Sequence, residues 1–287
     1  MPHNTTSYTF LKIGSWNLHG AYYDVNGYRV NKLEDPIFLD ALNSHDILCL
    51  QETHCGKNDL LSSHITEFQG IPHCRKISAN NRYFGGMLLL IRKTIRKGIK
   101  ITSTENPDIF GIRLLGEFFG LTEDLHIWFV YAPPLNSPYL SERQGVLDCL
   151  DKLLTHGDCS MVFGDLNGKT GTEDDFVMDA DDRHSPINDI EGYQADTPPS
   201  KRNNMDTKKT DKQGKIILEL CQSHRIRILN GRTIGDRWGQ LTRYPACTRE
   251  SPSTLDYALC STNVTELVKT FLVNPIFFFF VIHTCYT

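Results

Sequence analysis

Short apolar runs that stop at polar or glycine-containing junctions recur along the whole chain. This pattern is typical of buried strands joined by loops, and it predicts strands at 10–17, 46–52, 85–93, 110–117, 125–132, 159–163, 225–230 and 253–261. The three runs between residues 85 and 132 have no long helical pattern between them. We therefore expect consecutive strands in this part of the chain to pair antiparallel.

A helical spacing of apolar residues marks three other segments. The clearest is 141–154, which begins at Ser141, a residue type that caps helices. Its apolar face consists of Val146, Leu147, Leu150, Leu153 and Leu154. Further helices are predicted around 33–44 and 214–225. Many strands with a few helices indicate an α/β (α+β) sandwich in which helices cover the sheets.

A long polar stretch, residues 172–212, separates the strand at 159–163 from the helix near 214. It begins acidic, at 173–182, and ends basic, at 200–215. A connection of this length is either a functional surface loop or partly disordered. Its charge density leaves little apolar area to offset the entropy of ordering, so we expect it to be the least ordered part of the chain.

Composition narrows the class of protein. The chain has 287 residues, 40% hydrophobic and 22% charged, with a formal net charge of −4; such a chain can form one large α/β domain. The charge argues against coating nucleic acid by bulk attraction, but it allows a local basic patch. Nine cysteines without a C-x-x-C pair, and no signal-like N-terminus, favour an intracellular setting.

The most apolar segment, residues 271–282, is too short for a membrane span. A spanning helix needs roughly 20 apolar residues, and Asn274 and Pro275 interrupt this one. We therefore expect no membrane association.

Polar side chains stand where five of the predicted strands leave the core. They are Asn17, Glu52, Tyr131, Asp165 with Asn167, and Asp256. Each one alone is explained by an Asx-turn, a cap or a packed aromatic ring. Together they lie where α/β proteins form their sites, held by the sheet and facing the loop layer.

These residue types suit the cleavage of a phosphate ester. Glu52 is able to bind a hard cation such as Mg²⁺, which offsets the charge that grows on the phosphate and on the departing oxygen. Asp165 is able to orient and deprotonate a water molecule. Asn167 is able to donate a hydrogen bond to a non-bridging oxygen. Asp256 paired with a histidine would complete the site.

The ordered motifs W-N, Q-E-T, Y-A-P-P, G-D-L-N-G and S-T-L-D-Y resemble the endonuclease/exonuclease/phosphatase superfamily. Within it, the chain is most similar to the apurinic-type endonuclease domain of non-LTR retrotransposons. The resemblance covers residues 10 to 274. It implies a domain at 8–274 with a four-layer α/β sandwich, two packed, mostly antiparallel sheets flanked by helices, and Mg²⁺- or Mn²⁺-dependent cleavage of DNA. It also implies a nuclear location.

The resemblance also implies roles for individual residues. Asn17 and Glu52 belong to the metal side, Asp165 and Asn167 hold the water and the phosphate, and Tyr131 contacts the phosphate. Asp256 is then the acid of an Asp–His dyad.

Two positions depart from the family's pattern. His19 stands where many apurinic endonucleases carry a second metal-binding Asp, so metal binding rests more heavily on Glu52. The family's C-terminal Ser-Asp-His is missing from the tail at 275–287, where the chain reads FFFFVIHTCYT. One interpretation is that the chain after Ile276 is foreign to the fold and the enzyme is impaired. In the other, 277–280 form a genuine strand and His283, 27 residues after Asp256, supplies the dyad histidine.

Basic residues provide candidate contacts to the DNA backbone. They are Arg92, Lys93, Arg96 and Lys97 in the run at 91–100, and Arg202 in the long polar stretch. Each neutralised phosphate would add salt-dependent affinity. A solvated hairpin end explains the same run. No motif for reading bases is present.

Three functions remain open from the sequence. The leading hypothesis is a Mg²⁺-dependent DNA endonuclease of the retrotransposon type. A phosphoinositide or sphingomyelin phosphodiesterase of the same fold is the second. The third is a catalytically dead relic that only binds nucleic acid. No obligate protein partner is inferred.

Overall fold

The computed structural model describes residues 9–56, 65–75, 83–102, 104–134, 145–154, 159–177, 201–245 and 250–273, and the backbone of 278–284. Within these ranges, we find no helix with the length and apolar character needed to cross a membrane.

The first sheet has six strands and only one parallel pair. Its strands are β1 (Thr9–Asn17), β4 (Ile47–Gln51), β5 (Phe68–His73), β6 (Met87–Arg92), β13 (Val268–Val273) and β14 (Phe278–Thr284), in the order β13-β14-β1-β4-β6-β5. The central pair, β1 and β4, is parallel, and the other pairs are antiparallel. A separate hairpin, β2 (Tyr22–Val25) and β3 (Tyr28–Asn31), follows β1.

The second sheet repeats this plan. Its strands are β7 (Ile99–Thr102), β8 (Ile109–Leu114), β9 (Leu125–Val130), β10 (Ser160–Asp165), β11 (Ile226–Ile228) and β12 (Asp256–Ser261), in the order β11-β12-β10-β9-β8-β7. Here β9 and β10 form the single parallel pair. Each sheet therefore has one parallel pair at its centre, and the strands of that pair end on the same edge.

The described ranges contain four helices. They are α1 (Pro36–Asn43), α2 (Gly116–Phe119), α3 (Val146–Leu153) and α4 (Lys212–Ser223), with 3₁₀ turns at Lys32–Glu34, Lys93–Gly98 and Thr262–Leu267. Helix α4 begins earlier than the apolar pattern predicts, because the Asp211 side chain caps it by accepting from the Gly214 N–H. The proposed cap of α3, Ser141, lies outside the described residues; the described helix follows Gly145.

Three apolar clusters define four layers. One cluster fills the space between the two sheets. A second packs the outer face of the second sheet against α3 and α4, through residues such as Val162, Leu150 and Ile217. The third packs the outer face of the first sheet against α1, through Leu48, Leu50 and Leu42. The predicted four-layer α/β sandwich with two mostly antiparallel sheets is confirmed.

The predicted pairing of consecutive strands is only half right. Strands β8 and β9 pair antiparallel as expected. Strand β6 lies in the other sheet, between β4 and β5. The strands β2, β3, β5, β7 and β13 were not predicted, because most of them are short or lack a continuous apolar run.

The C-terminal tail contributes a strand to the first sheet. Residues Phe278–Thr284 pair with β1 on one side and with β13 on the other. The interpretation of everything after Ile276 as foreign to the fold is therefore wrong for this segment. Its backbone fills the gap between two strands that would otherwise present unpaired edges.

The long polar stretch is described only at its two ends. Residues 178–200 lie outside the described residues, so the prediction of low order is not tested there. In residues 201–212, Asp206 and Thr210 are buried, and the Asp206 carboxylate accepts hydrogen bonds from the Lys208 and Thr254 N–H groups. For that end of the stretch, the prediction of low order is wrong.

Candidate active site

The predicted site residues continue the inward-facing rows of the inter-sheet core. Along β10, Met161 and Phe163 face the first sheet, and Asp165 comes next in the same row. The same two-residue period leads from Leu11 and Ile13 to Asn17, and from Ile127 and Phe129 to Tyr131. Three strands thus end in a polar side chain that points between the sheets.

Two further inward positions complete this polar edge. Gln51 ends the row of Ile47 and Cys49 on β4, and Asp256 begins the row of Ala258 and Cys260 on β12. Asp256 lies directly opposite Asp165 in the antiparallel pairing of β12 and β10. The edge therefore brings residues from five strands and both sheets together.

Gln51 connects the two sheets at this edge, a role that sequence reasoning missed. Its side chain is fully buried. Nε2 donates to the Val130 carbonyl at 3.0 Å, and Oε1 accepts from the Asp165 N–H at 3.2 Å. Gly164 makes this approach possible: its φ is +145°, and an added Cβ would lie 1.9 Å from the Val130 oxygen.

Glu52 follows β4 in a left-handed conformation, with φ +50°. Its carboxylate accepts hydrogen bonds from the Tyr131 hydroxyl and from His19, whose Nδ1 lies 3.0 Å from Oε2. Burial raises the pKa of Glu52, but the bonds from His19, Tyr131 and Asn17 outweigh it and lower the pKa to about 2. Glu52 is therefore ionised at neutral pH.

Glu52 in turn raises the pKa of two neighbouring groups, His19 and Tyr131. Its hydrogen bond raises the pKa of His19 above the ordinary histidine value. Burial, with the charge of Glu52, raises the pKa of Tyr131, so its phenol stays protonated. His19 has φ +47°, and its N–H donates to the Asn17 Oδ1 at 3.0 Å. The loop after β1 thus positions an imidazole where the family's pattern has a carboxylate.

Asp165 is bound from two sides. Its Oδ1 accepts from the Asn167 N–H at 3.0 Å, which is an Asx-turn. Its Oδ2 accepts from the Asn17 Nδ2, on the other sheet, at 3.1 Å. Asn167 has φ +47° and is half-buried. The Asx-turn and the predicted site are therefore compatible, because the turn holds the Asp165 carboxylate towards Asn17.

Burial dominates the titration of both aspartates. It raises the pKa of Asp165 well above the ordinary value, and the charges of Asp256 and Glu52 add to the shift. Burial also raises the pKa of Asp256.

Asp256 is held by two residues that the sequence did not single out. Thr242 Oγ1 donates to its Oδ2 at 2.7 Å, and Asn230 Nδ2 donates to its carbonyl at 3.2 Å. The proposed dyad partner, His283, is opposite Phe10 in the pairing of β14 with β1, whereas Phe278 is opposite Ser15. Asn17 lies seven residue steps after Phe10 along β1, about 24 Å of strand rise. The backbone register thus places His283 at the far end of the sheet, and its assignment to the dyad is wrong.

The donor set suits one hard cation. Glu52 offers an ionised carboxylate and Asn17 an amide oxygen, and Mg²⁺ is commonly bound by one or two carboxylates with water and phosphate oxygens completing its coordination. Within the described ranges, no three His, Cys, Asp or Glu side chains are arranged to hold a metal by themselves. A cation here would depend on water and substrate for most of its ligands.

The basic run at 91–100 lies at the opposite end of the first sheet. Gln51, beside the site, pairs with Met87, whereas Ile47 pairs with Ile91 at the other end of β6. Arg92 donates to the carbonyls of Asn43 and His45 at 2.7 and 2.8 Å. This run is therefore distant from the site edge.

The other members of the run share this position. Arg96 donates to the Gln69 side chain at 2.6 Å, and Lys93 and Lys97 are exposed. The register therefore separates Arg92, Lys93, Arg96 and Lys97 from the polar edge, and their contact with the DNA backbone stays a prediction for DNA that extends beyond that edge.

The Arg202 side chain is buried and hydrogen-bonded within the protein. It is 8% exposed, and its Nη2 donates to the Thr170 Oγ1 at 2.9 Å and to the Glu173 carbonyl at 3.0 Å. Burial lowers its pKa. It joins the two described ends of the long polar stretch, so the prediction of a contact between Arg202 and the DNA backbone is wrong.

Comparisons with known proteins agree with this fold. The catalytic domain of Xenopus laevis APE2 is similar with a TM-score of 0.58 at 13% identity, covering 96% of this chain and 92% of that one. An AP endonuclease from Leishmania major has a TM-score of 0.57 at 15% identity, with 97% and 88% covered. A 3′–5′ exonuclease from Neisseria meningitidis has a TM-score of 0.55 at 13% identity, with 96% and 100% covered.

Sequence comparisons give the family. No curated protein matches the chain significantly. The profile of the Endonuclease/Exonuclease/phosphatase family matches residues 14–275, nearly the whole chain. That span contains β4, β9, β10, β12 and the last four residues of β1, which together carry the polar edge. The chain belongs to the Endonuclease/Exonuclease/phosphatase family.

Proposed function

We propose that this protein is a divalent-metal-dependent endonuclease that nicks DNA, of the type associated with non-LTR retrotransposons. The observation that carries the proposal is the pair of carboxylates with opposite properties. Glu52 is held ionised by His19 and Tyr131, and Asp165 is buried, with a raised pKa, and hydrogen-bonded to Asn17. We assign the metal to Glu52 and the attacking water to Asp165, because these two carboxylates come from opposite sheets and Asn17 on the first sheet holds the Asp165 carboxylate.

The residues of this edge divide the work of phosphodiester hydrolysis. Asp165 accepts the proton of the attacking water, and Asn17 fixes the carboxylate in the orientation for that transfer. Tyr131 remains protonated and donates to Glu52. We assign to the Asn167 amide, which follows the turn, a hydrogen bond to a phosphate oxygen. When bound, a divalent cation supplies positive charge beside the phosphorus and the leaving oxygen.

DNA is proposed as the substrate because the similar solved structures include two AP endonuclease-type proteins and an exonuclease. The test is incubation of supercoiled plasmid with the full chain in Mg²⁺, in Mn²⁺ and in EDTA, beside inositol phosphates and sphingomyelin. We expect conversion to the relaxed form with metal and none in EDTA. Hydrolysis of the small phosphodiesters without nicking would identify the other enzyme class. Inactivity on every substrate would identify the dead relic.

The metal assignment predicts the effect of Glu52→Gln. Gln keeps the shape of the side chain but removes the negative charge that a hard cation needs. We expect Mg²⁺ or Mn²⁺ binding, measured by isothermal titration calorimetry, to weaken by at least about tenfold. The exposed Glu117 is the matched control, and Glu117→Gln should bind metal as the unchanged protein does. Equal binding by the Glu52 variant would refute the assignment.

The register of β14 predicts that His283→Ala leaves nicking unchanged, because His283 lies at the far end of the sheet. In the register of β14 with β1, the positions nearer to Asn17 precede Phe278, and the sequence there is Asn274-Pro275-Ile276-Phe277. Replacing 275–277 by Ser-Asp-His should therefore raise the nicking rate. The proposal that this chain is impaired fails if the replacement has no effect while His283→Ala abolishes cutting.

A further inference from the structure

An exposed apolar surface near the catalytic edge is formed by the loop between β11 and β12 and by segment 203–205, which is hydrogen-bonded to it. We name Trp238, Met205 and Arg237 the indole ledge. Trp238 is 73% exposed and Met205 54% exposed, and Arg237 is also exposed. The chain has three tryptophans; the other two, Trp16 and Trp128, are buried in the core. Trp238 is therefore the single tryptophan that faces solvent.

Hydrogen bonds fix the backbone of the indole ledge. The Met205 N–H donates to the Gly239 carbonyl at 2.9 Å, and the Asn203 side chain donates to the Arg237 carbonyl at 2.7 Å. Gly239 has φ +67°, and an added Cβ would lie 2.3 Å from the Asn203 oxygen. These bonds join segments 203–205 and 237–239 back to back, so the indole and the thioether occupy neighbouring positions.

The Asp236 carboxylate stabilises the loop that carries Trp238 from its buried side. Asp236 is buried, and its carboxylate accepts from the Gln240 N–H at 2.9 Å and from the Gly231 N–H at 3.3 Å. An exposed tryptophan on a mobile loop would lose much of its affinity for a partner to ordering entropy. The bonds of Asp236 fix the backbone of the loop that carries Trp238, which lowers the entropy cost of binding a partner.

The ledge is close to the catalytic carboxylates. Thr242, four residues after Trp238, donates to the Asp256 Oδ2. Four residues span at most about 14 Å, so the Cα atom of Trp238 lies within that distance of the Cα atom of Thr242. Stacked bases rise about 3.4 Å each along a strand. Asp256 in turn lies opposite Asp165 in the strand pairing, so the span from Trp238 to the catalytic edge is one that several nucleotides can bridge.

Single exposed apolar residues are common on protein surfaces and alone mean little. Here a flat aromatic face, an adjacent guanidinium and the neighbouring phosphate-cleaving edge occur together. An unpaired nucleobase offers a flat face for the indole and a phosphate for Arg237. Aromatic stacking of this kind binds single-stranded nucleic acid with little dependence on sequence.

We propose that the indole ledge is a stacking platform for an unpaired base beside the cleaved phosphodiester, so that the enzyme acts on DNA with unpaired bases next to the nick. The placement rests on the proposed function, but the binding can be measured without cleavage. A flush duplex, whose bases are all stacked internally, cannot offer a face to Trp238.

Trp238 itself reports on the proposal, because it dominates the solvent-exposed tryptophan emission. We expect an oligothymidylate of about 12 nucleotides, added in EDTA, to quench this emission and to protect it from acrylamide. A blunt duplex of the same length should do neither. In anisotropy titrations with labelled oligothymidylate, Trp238→Ala should weaken binding about 10-fold, and Trp238→Phe should keep most of the affinity. Ile37→Ala, which removes an 82% exposed apolar side chain on α1, should bind normally.

Several results would overturn the platform. One is tryptophan emission that oligothymidylate does not quench. The others are an unchanged affinity of Trp238→Ala for oligothymidylate, and quenching by the blunt duplex equal to that by oligothymidylate. A concentration-dependent dimer that Trp238→Ala dissociates would assign the ledge to a second copy of the chain instead. Failure of the proposed function gives a different result from failure of the platform. If only the proposed function fails, oligothymidylate still quenches the emission of the unchanged protein, but the protein shows no metal-dependent nicking.

Discussion

Asp165→Asn should lower the rate of metal-dependent plasmid nicking by about 10²–10⁴-fold, the usual effect of removing a general base. Asn keeps the size of the side chain and can still accept from the Asn167 N–H. It cannot take a proton from water. The measurement is the single-turnover rate at saturating metal, because that rate isolates the chemical step from binding and product release.

Two controls separate chemistry from structure. The free energy of unfolding should change by no more than about 1 kcal/mol in Asp165→Asn, because relief of the carboxylate's desolvation offsets the hydrogen bond from the Asn17 Nδ2 that the new amide nitrogen cannot accept. Metal affinity should also be retained, since Glu52 is unchanged. Asp148→Asn on α3, an exposed position, should nick at the normal rate. If Asp165→Asn kept more than a tenth of the activity, another group would be the base.

Gly164→Ala should reduce the free energy of unfolding by about 3 kcal/mol or more. An alanine Cβ there would lie 1.9 Å from the Val130 oxygen and 2.5 Å from the Gln51 Nε2. To relieve this overlap, β10 has to move away from β9, which breaks the Gln51 bonds that join the two sheets. Urea denaturation, with activity measured in parallel, gives the loss of stability and of site geometry.

Gly27 provides the matched control, because it isolates backbone strain from overlap. Its φ is +82°, and an added Cβ would meet nothing within 4 Å. Gly27→Ala should therefore cost only about 1 kcal/mol, the strain of a non-glycine residue with positive φ. Equal destabilisation by the two variants would mean that the packing at Gly164 relaxes easily and that Gln51 does not depend on it.

The contrast between Asp165 and Arg202 explains which site residues could be predicted. Asp165 extends an alternating strand pattern by one inward position, so local sequence already indicates its strand and its face. Whether Arg202 is solvated depends on residues far away in sequence, Thr170 and Glu173. A basic residue in a polar stretch gives no local sign of such burial. Gln51 was missed for the same reason, because its partners belong to the other sheet.

The sequence by itself determined the strand-rich α/β class, most of the central strands and the polar residues at their ends, because periodicity and strand termination are local properties. The tertiary structure alone decided direction and register. It placed the basic run and His283 at the far end of the first sheet, made the phenylalanine-rich tail a paired strand, and gave Asp256 a threonine partner. These depend on which strands pair and in which direction, and pairing energy comes from contacts between residues distant in the chain.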